Sequence, residues 1–431
     1  MPKLAIKGGE KLRKLEFTPW PFYDKTEVDA LIQVAESGKW WRFAYGEGVE
    51  LKEKSYGDDR AKAVLFQEAF AKYQQAEYGL ACANGTAALE IALKSLGIGP
   101  GDEVIVPSYS FIASCSCVLQ VNAVPVFVDI DPDTFNINTN LIEDAITEHT
   151  KAIIPVHFAG QPADLDKLLA IAKKHNLYVV EDAAHAHGSE WRGRRVGAIG
   201  DVGTFSFQAS KNMTAGEGGA ILTNDKKIAV LCDSYLWAGR VVGRPWYEFH
   251  RLGWNYRITE FQGAILLAQF KRLDGQIEKR NTHVAYFYKR LMEEGIEGLN
   301  PLTTLEGVTR HSNHIIMMKY DKNIWGIHKT EFIDALFAEG IDVQSGYAFP
   351  LYKNPMFLNQ DFYPHGCPIN CRHYDKKVDF AAYEKTNPVS EEACGETAVW
   401  FSQRIFASAR TQGRSRARSI SRRQTGVHRR F

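Results

Sequence analysis

Residues 177–188 read LYVVEDAAHAHG. The run Leu177–Val180 is apolar and rich in valine, which predicts a strand, and it delivers two acids, Glu181 and Asp182, at the strand's carboxyl end. Apolar runs without polar alternation belong to strands covered on both faces, the habit of parallel sheets flanked by helices. Working outward, EVIVPS (103–108), AVPVFVDI (123–130) and KAIIPVHF (151–158) repeat the pattern. Between them TAALEIALKSLGI (86–98) and DLDKLLAIAKKHN (164–176) space their apolar residues as amphipathic helices do. This alternation predicts an α/β layer over residues 84–225, and in such sheets ligands bind beyond the carboxyl ends of the strands.

Composition sets the class. Of 431 residues, 45% are hydrophobic and 24% charged, as in a folded globular enzyme and unlike a disordered chain. No apolar run approaches the roughly 18 residues a membrane helix needs, and the first residues lack a signal-peptide core, so a cytoplasmic protein is expected. Seven scattered cysteines suggest no disulfide framework. Cys367, Cys371 and His373 in CPINCRH lack a second ligand pair, so no metal is expected. The net charge of +1 conceals eight arginines and no acid in the last 25 residues; the remainder carries 44 basic against 51 acidic residues. That mildly acidic body argues against a nucleic-acid binder, apart from nonspecific binding by the tail.

Past residue 257, a helical pattern runs to about Gly295 as a link to a smaller α+β unit, with a strand in HSNHIIMMKY (311–320) and a helix in HKTEFIDALFAEG (328–340). The expected organisation is an N-terminal arm (1–57), a large domain (58–275), a small domain (276–405) and an atypical basic tail (406–431), disordered or non-native.

Three segments carry chemistry. Asp182, at a strand end, suits a helix cap, a metal ligand or the partner of a cationic ligand nitrogen. In CANGTAAL (82–89), Gly85 and Thr86 open a helix whose free N–H groups suit an anion, unless Thr86 is simply the N-cap. In GTFSFQASKNMTAGEGGAIL (203–222), Lys211 lies between two predicted strands, five residues after Ser206; burial would free its amine as a nucleophile, whereas a surface lysine would merely be solvated. Together, in this order, a phosphate cradle, a partner for a ring nitrogen and an amine are what pyridoxal phosphate requires.

The ordered set NGTAAL, VPSYSFIASCSCV, PVFVDID, PVHFAG, EDAAHAHG, SFQASKNMTAGEGG and NYRITEFQGAI resembles the DegT/DnrJ/EryC1/StrS aminotransferases across about residues 1–405. The resemblance implies the aspartate-aminotransferase-like fold of fold type I pyridoxal-phosphate enzymes: a large domain on a mostly parallel seven-stranded sheet and a smaller α+β C-terminal domain. It implies Lys211 as Schiff-base residue and proton shuttle, and Asp182 as partner of the pyridine nitrogen. Gly85, Thr86 and Ser206 match phosphate ligands, with Asn255 supplied by the neighbouring subunit of a homodimer. Phe111 matches the aromatic residue stacked on the ring, and His185 stands where many members have a glutamine near the phenolic oxygen.

The implied reaction is ping-pong transfer of an amino group from glutamine or glutamate to a keto group of a sugar, nucleotide-linked or free, or of a cyclitol. Gln208 resembles members that aminate keto-inositols and the aminohydroxybenzoate synthases similar to them. An inward polar residue satisfied by backbone reads equally well there. Trp41 and Arg42 suit a lid or a packed arm, and Tyr256 is a further substrate candidate, with Arg240, Arg244 and His250 nearby. A sugar dehydratase, in which relatives replace the lysine by histidine, and a catalytically silent regulatory homologue are the alternatives. The family's usual closing helix gives way after AVWFSQRIF (398–406) to the arginine-rich tail, which reads as an out-of-frame gene end or a basic extension.

Overall fold

The structure, a computed structural model, describes residues 3–41, 60–363, 366–370 and 372–407. Helices α1 (Lys25–Ser37) and α2 (Lys62–Tyr73) precede β1 (Tyr78–Cys82), α3 (Gly85–Ser95), β2 (Glu103–Pro107), α4 (Ala113–Gln120), β3 (Val124–Val128) and β4 (Thr150–Ile153). Then come α5 (Leu165–His175), β5 (Tyr178–Asp182), the short β6 (Glu190–Trp191) and β7 (Arg194–Arg195), β8 (Val202–Ser206), β9 (Gly219–Thr223) and α6 (Lys226–Leu236). β1, β9, β8, β5, β4, β2 and β3 lie side by side in that order as one seven-stranded sheet, and β9 alone runs antiparallel to its neighbours. β2 is buried along its whole length, and β3, β4 and β5 are buried but for Val126, Lys151 and Tyr178, so the apolar runs do mark strands covered on both faces.

The helical pattern past residue 257 is two helices, α7 (Glu260–Phe270) and α8 (Leu273–Glu293), not one. α7 is apolar on most sides and lies under α1 and α2. α8 is amphipathic; it places Leu273 and Ile277 in the main core but Val284 and Leu291 in a second one, so this one helix serves both. The second core is built on the antiparallel sheet β10 (Leu299–Pro301), β12 (Ile315–Tyr320), β14 (Ala398–Ser402) and β13 (Val343–Gln344), with α9 (Lys322–Trp325) and α10 (Lys329–Ala338) alongside; β11 (Val308–Arg310) pairs with β6 instead.

Within the 276–405 span, Leu351, Tyr352, Phe357 and Phe380 return to the main core, where Phe127 of β3 meets three of their rings edge-on. Among the arm's fastenings, the Ala5 and Leu12 N–H groups donate to the Glu339 carboxylate at 2.9 and 2.8 Å, Trp20 Nε1 donates to the Ala209 carbonyl beside the Lys211 loop, and Gln269 Nε2 donates to the Phe22 carbonyl and the Glu27 carboxylate. Among the described residues no helix is long and apolar enough to cross a membrane, and no group of three His, Cys, Asp or Glu side chains could hold a metal ion. Arg42, Cys371 and residues 408–431 of the basic tail lie outside the described residues.

Candidate active site

The site forms where β5 and β8 end. Side chains alternate along a strand, so the two acids of β5 part company. Glu181 turns to a buried polar nest: His157 Nε2 at 2.9 Å and the N–H groups of Gly197, Ile199 and Gly200 at 2.7, 2.8 and 2.6 Å. Burial works to raise its pKa, but these donors outweigh it and hold the carboxyl below its ordinary range. Asp182 turns to the other face, where it accepts from Ser114 Oγ at 2.8 Å and the Ala184 N–H at 3.2 Å. Burial raises its pKa, while these donors and the Lys211 charge work against the rise.

Lys211 follows β8 in the loop that returns to β9, and its N–H donates to the Gln208 carbonyl. Burial lowers its pKa to about 8, and Asp182 is the charge that resists the fall. A substantial neutral fraction of this amine is therefore present near neutral pH, beside an enclosed carboxylate.

An anion cradle adjoins the pair. Asn84, not Thr86, caps α3, its side chain accepting from the Ala87 N–H at 2.8 Å. Thr86 is thus left free of capping, and the first-turn N–H groups of Gly85 and Thr86 have no acceptor within the helix. Ser206, the last residue of β8, packs directly on this turn: a Cβ at Gly85 would stand 2.8 Å from Ser206 Cβ and 3.3 Å from its Oγ. The missing side chain at Gly85 lets Ser206 pack directly on the turn, and so brings a hydroxyl up to the first-turn N–H groups and the positive end of the helix dipole, a donor set that suits a phosphate.

Phe111, between β2 and α4, is 57% exposed, a large aromatic face left open one turn ahead of Ser114. His185 is buried, accepts from the Ala159 N–H at Nδ1 (3.3 Å) and stands 4.4 Å, centroid to centroid, from His314. Burial and the Lys211 charge push its pKa well below the ordinary range, so it is neutral. Gln208 Oε1 accepts from the N–H and Oγ of Ser210 at 2.8 and 2.7 Å, which leaves its NH2 group as a donor.

The remaining predicted residues lie around the rim. Asn255 is exposed, bridged to Trp237 through the backbone. Trp41 packs on Trp237 and Trp246, and Tyr256 stacks on Trp254 and shares a hydrogen bond with the Glu90 side chain. Arg240 lies over the Trp246 and Phe249 rings, His250 pairs with Glu248, and Arg244 is exposed. Sequence reading missed Ser114, although it stands in the quoted VPSYSFIASCSCV segment three residues after Phe111. It also missed Asn212, Ser312 and His314, whose contacts join segments about one hundred residues apart.

A model of the DegT/DnrJ/EryC1/StrS aminotransferase family matches residues 51–392. The L-glutamine:2-deoxy-scyllo-inosose aminotransferase of Streptomyces paromomycinus is 37% identical over 408 residues, covering 92% of either chain. The L-glutamine:scyllo-inosose aminotransferase of Streptomyces griseus is 38% identical over 367 residues, 82% of either chain. Among solved structures, 3-amino-5-hydroxybenzoic acid synthase superposes with a TM-score of 0.80 at 30% identity, over 96% of this chain and 99% of the other.

Proposed function

The chain belongs to the DegT/DnrJ/EryC1/StrS aminotransferase family, and on that premise we propose that it transfers the α-amino group of L-glutamine to the ring ketone of a cyclitol, with pyridoxal 5′-phosphate as cofactor. The observation that carries this reading is the buried Lys211–Asp182 pair together with the start of α3, on which Ser206 packs. Gly85, Thr86 and Ser206 hold the phosphate, Asp182 the ring nitrogen, Phe111 one ring face and His185 the phenolic oxygen. Pyridoxal phosphate, when bound, supplies the electron sink that makes the donor's α-C–H bond acidic.

The chain's own groups then have defined work. Lys211 would hold the cofactor through its aldehyde carbon. Its amine, lowered toward neutral pH by burial, takes the proton from the donor's α-carbon. In the second half it returns a proton to the former ketone carbon of the acceptor. Asp182, ionised in the resting site, keeps the ring nitrogen charged, and Ser114 and the Ala184 N–H hold its carboxylate in place. Over both halves glutamine exchanges amino for oxo and the cyclitol exchanges oxo for amino, so no outside oxidant or reductant is needed and the kinetics are ping-pong.

Glutamine as donor and a keto-cyclitol as acceptor rest on the two inosose aminotransferases and on Gln208, whose free NH2 group suits a hydroxyl or carbonyl oxygen. The exposed Asn255 suits a ligand given to the phosphate of a second copy in a homodimer. We place the enzyme in the cytoplasm. The large domain draws mainly on 58–275 and the small domain on 276–405, except that Leu351, Tyr352, Phe357 and Phe380 of the latter span pack in the main core. Lys211 speaks against the dehydratase alternative, and the buried Lys211–Asp182 pair speaks against the regulatory one.

The test is a transfer assay with L-glutamine carrying 15N at the α-amine, offered with scyllo-inosose, with a keto-sugar nucleotide, and with glutamate in glutamine's place. Label in aminocyclitol supports the reading. Label in amino sugar alone, or in neither, refutes it.

A further inference from the structure

HSNH (311–314), the segment entering β12, closes the back of the site. Its Ser312 N–H donates to the Gly160 carbonyl at 3.3 Å, Ser312 Oγ donates to the His185 carbonyl at 2.8 Å, and the His314 N–H donates to the Ala159 carbonyl at 2.9 Å. Docking is close: Gly160 has φ +94°, and a Cβ there would stand 2.2 Å from Ser312 Oγ. The Ser312 carbonyl accepts from Asn212 Nδ2 at 2.9 Å and from Arg280 Nε at 3.3 Å. Asn212 is the residue after Lys211, so the bracket touches both the lysine loop and His185.

These contacts fix two tautomers. A carbonyl oxygen can only accept, so Asn212 turns its nitrogen to Ser312 and its Oδ1 to His314. The 3.3 Å contact between that Oδ1 and His314 Nδ1 then requires the proton on Nδ1 of His314. His185 is the reverse: its Nδ1 accepts from the Ala159 N–H, so its proton sits on Nε2. Among the described residues neither Nε2 has a protein partner. The charged and titratable groups facing His314 are His185, Lys211, His187 and Arg280, and those facing His185 include Lys211 and His187. Burial first, and these neighbours next, keep both rings neutral.

The geometry points to His314 as a positioning residue: locked by Asn212 in its Nδ1–H tautomer, it backs the His185 ring so that a neutral Nε2–H is held ready for the cofactor's phenolic oxygen, and it ties the Lys211 loop to the strand that enters the small sheet. This rests on the roles given above to Lys211 and His185.

Two variants of the cofactor-loaded enzyme separate its parts. His314→Phe keeps a ring beside His185 but loses the donor to Asn212. His314→Gln keeps a donor. H314F is expected to lower kcat about 10- to 100-fold while the glutamine KM stays within about threefold, and to move the pH titration of the cofactor's visible absorbance; H314Q returns that titration toward wild type. An H314F titration that coincides with wild type, or equal damage from both variants, overturns the inference.

The direct readout is the imidazole 15N spectrum of wild-type holoenzyme, assigned by the signals lost in H314Q and in H185Q. It decides the matter even if H314F fails to fold. Nδ1–H at His314 with Nε2–H at His185 is expected, and the opposite tautomers or an imidazolium overturn it. Wild-type protein that never develops the cofactor's visible absorbance defeats the Lys211 reading itself. Normal absorbance with the wrong tautomers defeats only the role of His314.

Discussion

Gly85→Ala adds one methyl group to the anion cradle and little else. Gly85 lies at the first position of α3 and its φ is not in the left-handed region, so the substitution brings no backbone strain. Its Cβ, however, would stand 2.8 Å from Ser206 Cβ, where carbon atoms normally rest about 3.5–4.0 Å apart. Ser206 or the first turn of α3 must therefore yield by about 0.7 Å. Ser206 is held by its pairing with Gly219 in β9, and the turn by the Asn84 cap.

Overpacking of this kind costs about 1–3 kcal/mol, offset in part by alanine's better helix propensity, up to about 1 kcal/mol. The cofactor-free protein should thus lose at most about 2 kcal/mol and stay folded. Phosphate, by contrast, loses alignment with the Ser206 hydroxyl and the first-turn N–H groups. Loss of one or two charge-assisted hydrogen bonds, about 1.5–3 kcal/mol each, weakens binding about 10- to 100-fold or more. The assay is a titration of cofactor-free wild-type and G85A protein with pyridoxal phosphate and, in parallel, with pyridoxal. G85A should lose affinity for the phosphorylated form and keep its affinity for pyridoxal within about threefold. Equal affinities of wild type and variant for pyridoxal phosphate, or equal loss for both ligands, would refute the cradle.

Three further outcomes follow from the same geometry. Because the neutral amine is the nucleophile, the rate at which cofactor-free protein captures pyridoxal phosphate should rise with pH, reach half its maximum near 8, where Lys211 titrates, and level off above that. Asp182→Asn removes the charge that resists this depression, so the levelling should move to lower pH, and stopped-flow absorbance reads both. Glu181 is held below its ordinary pKa, so it contributes stability that is complete above the unfolded glutamate range and lost as pH falls through its lower folded value. Glu181→Gln should destabilise the protein by about 3 kcal/mol at neutral pH and flatten that acid dependence in urea unfolding. If Asn255 serves the partner's phosphate, mixing inactive Lys211→Ala and Asn255→Ala chains should regain activity as hybrids form, because one of the two sites is then intact; no regain would place each site within one chain.

Much of this was legible in the sequence because its cause is local. Strands buried on both faces cannot alternate, so β2, β3, β4 and β5 announce themselves, and the order of Gly85, Asp182 and Lys211 follows from sheet topology. What was hidden depends on distant partners. Periodicity across residues 258–295 does not reveal the break between α7 and α8 at Lys271 and Arg272. Asn84 and Thr86 are both capable caps, and the backbone chooses between them. Phe357 and Phe380 show no period that would send them back to β3. Tyr256 looks like a free hydroxyl until Glu90 is seen beside it, and His314 acquires its tautomer only from Asn212, 102 positions earlier.

The most direct test of the central claim is a reductive trap. Protein loaded with pyridoxal phosphate is treated with borohydride, digested and mapped by mass spectrometry, with and without prior exposure to L-glutamine. Without glutamine the added mass should sit on the peptide that contains Lys211 and on no other. With glutamine it should largely disappear, because the amine has passed to the cofactor and freed the lysine, and it should return when scyllo-inosose is added before reduction. Label on another lysine, or label on Lys211 that glutamine does not diminish, would contradict the account.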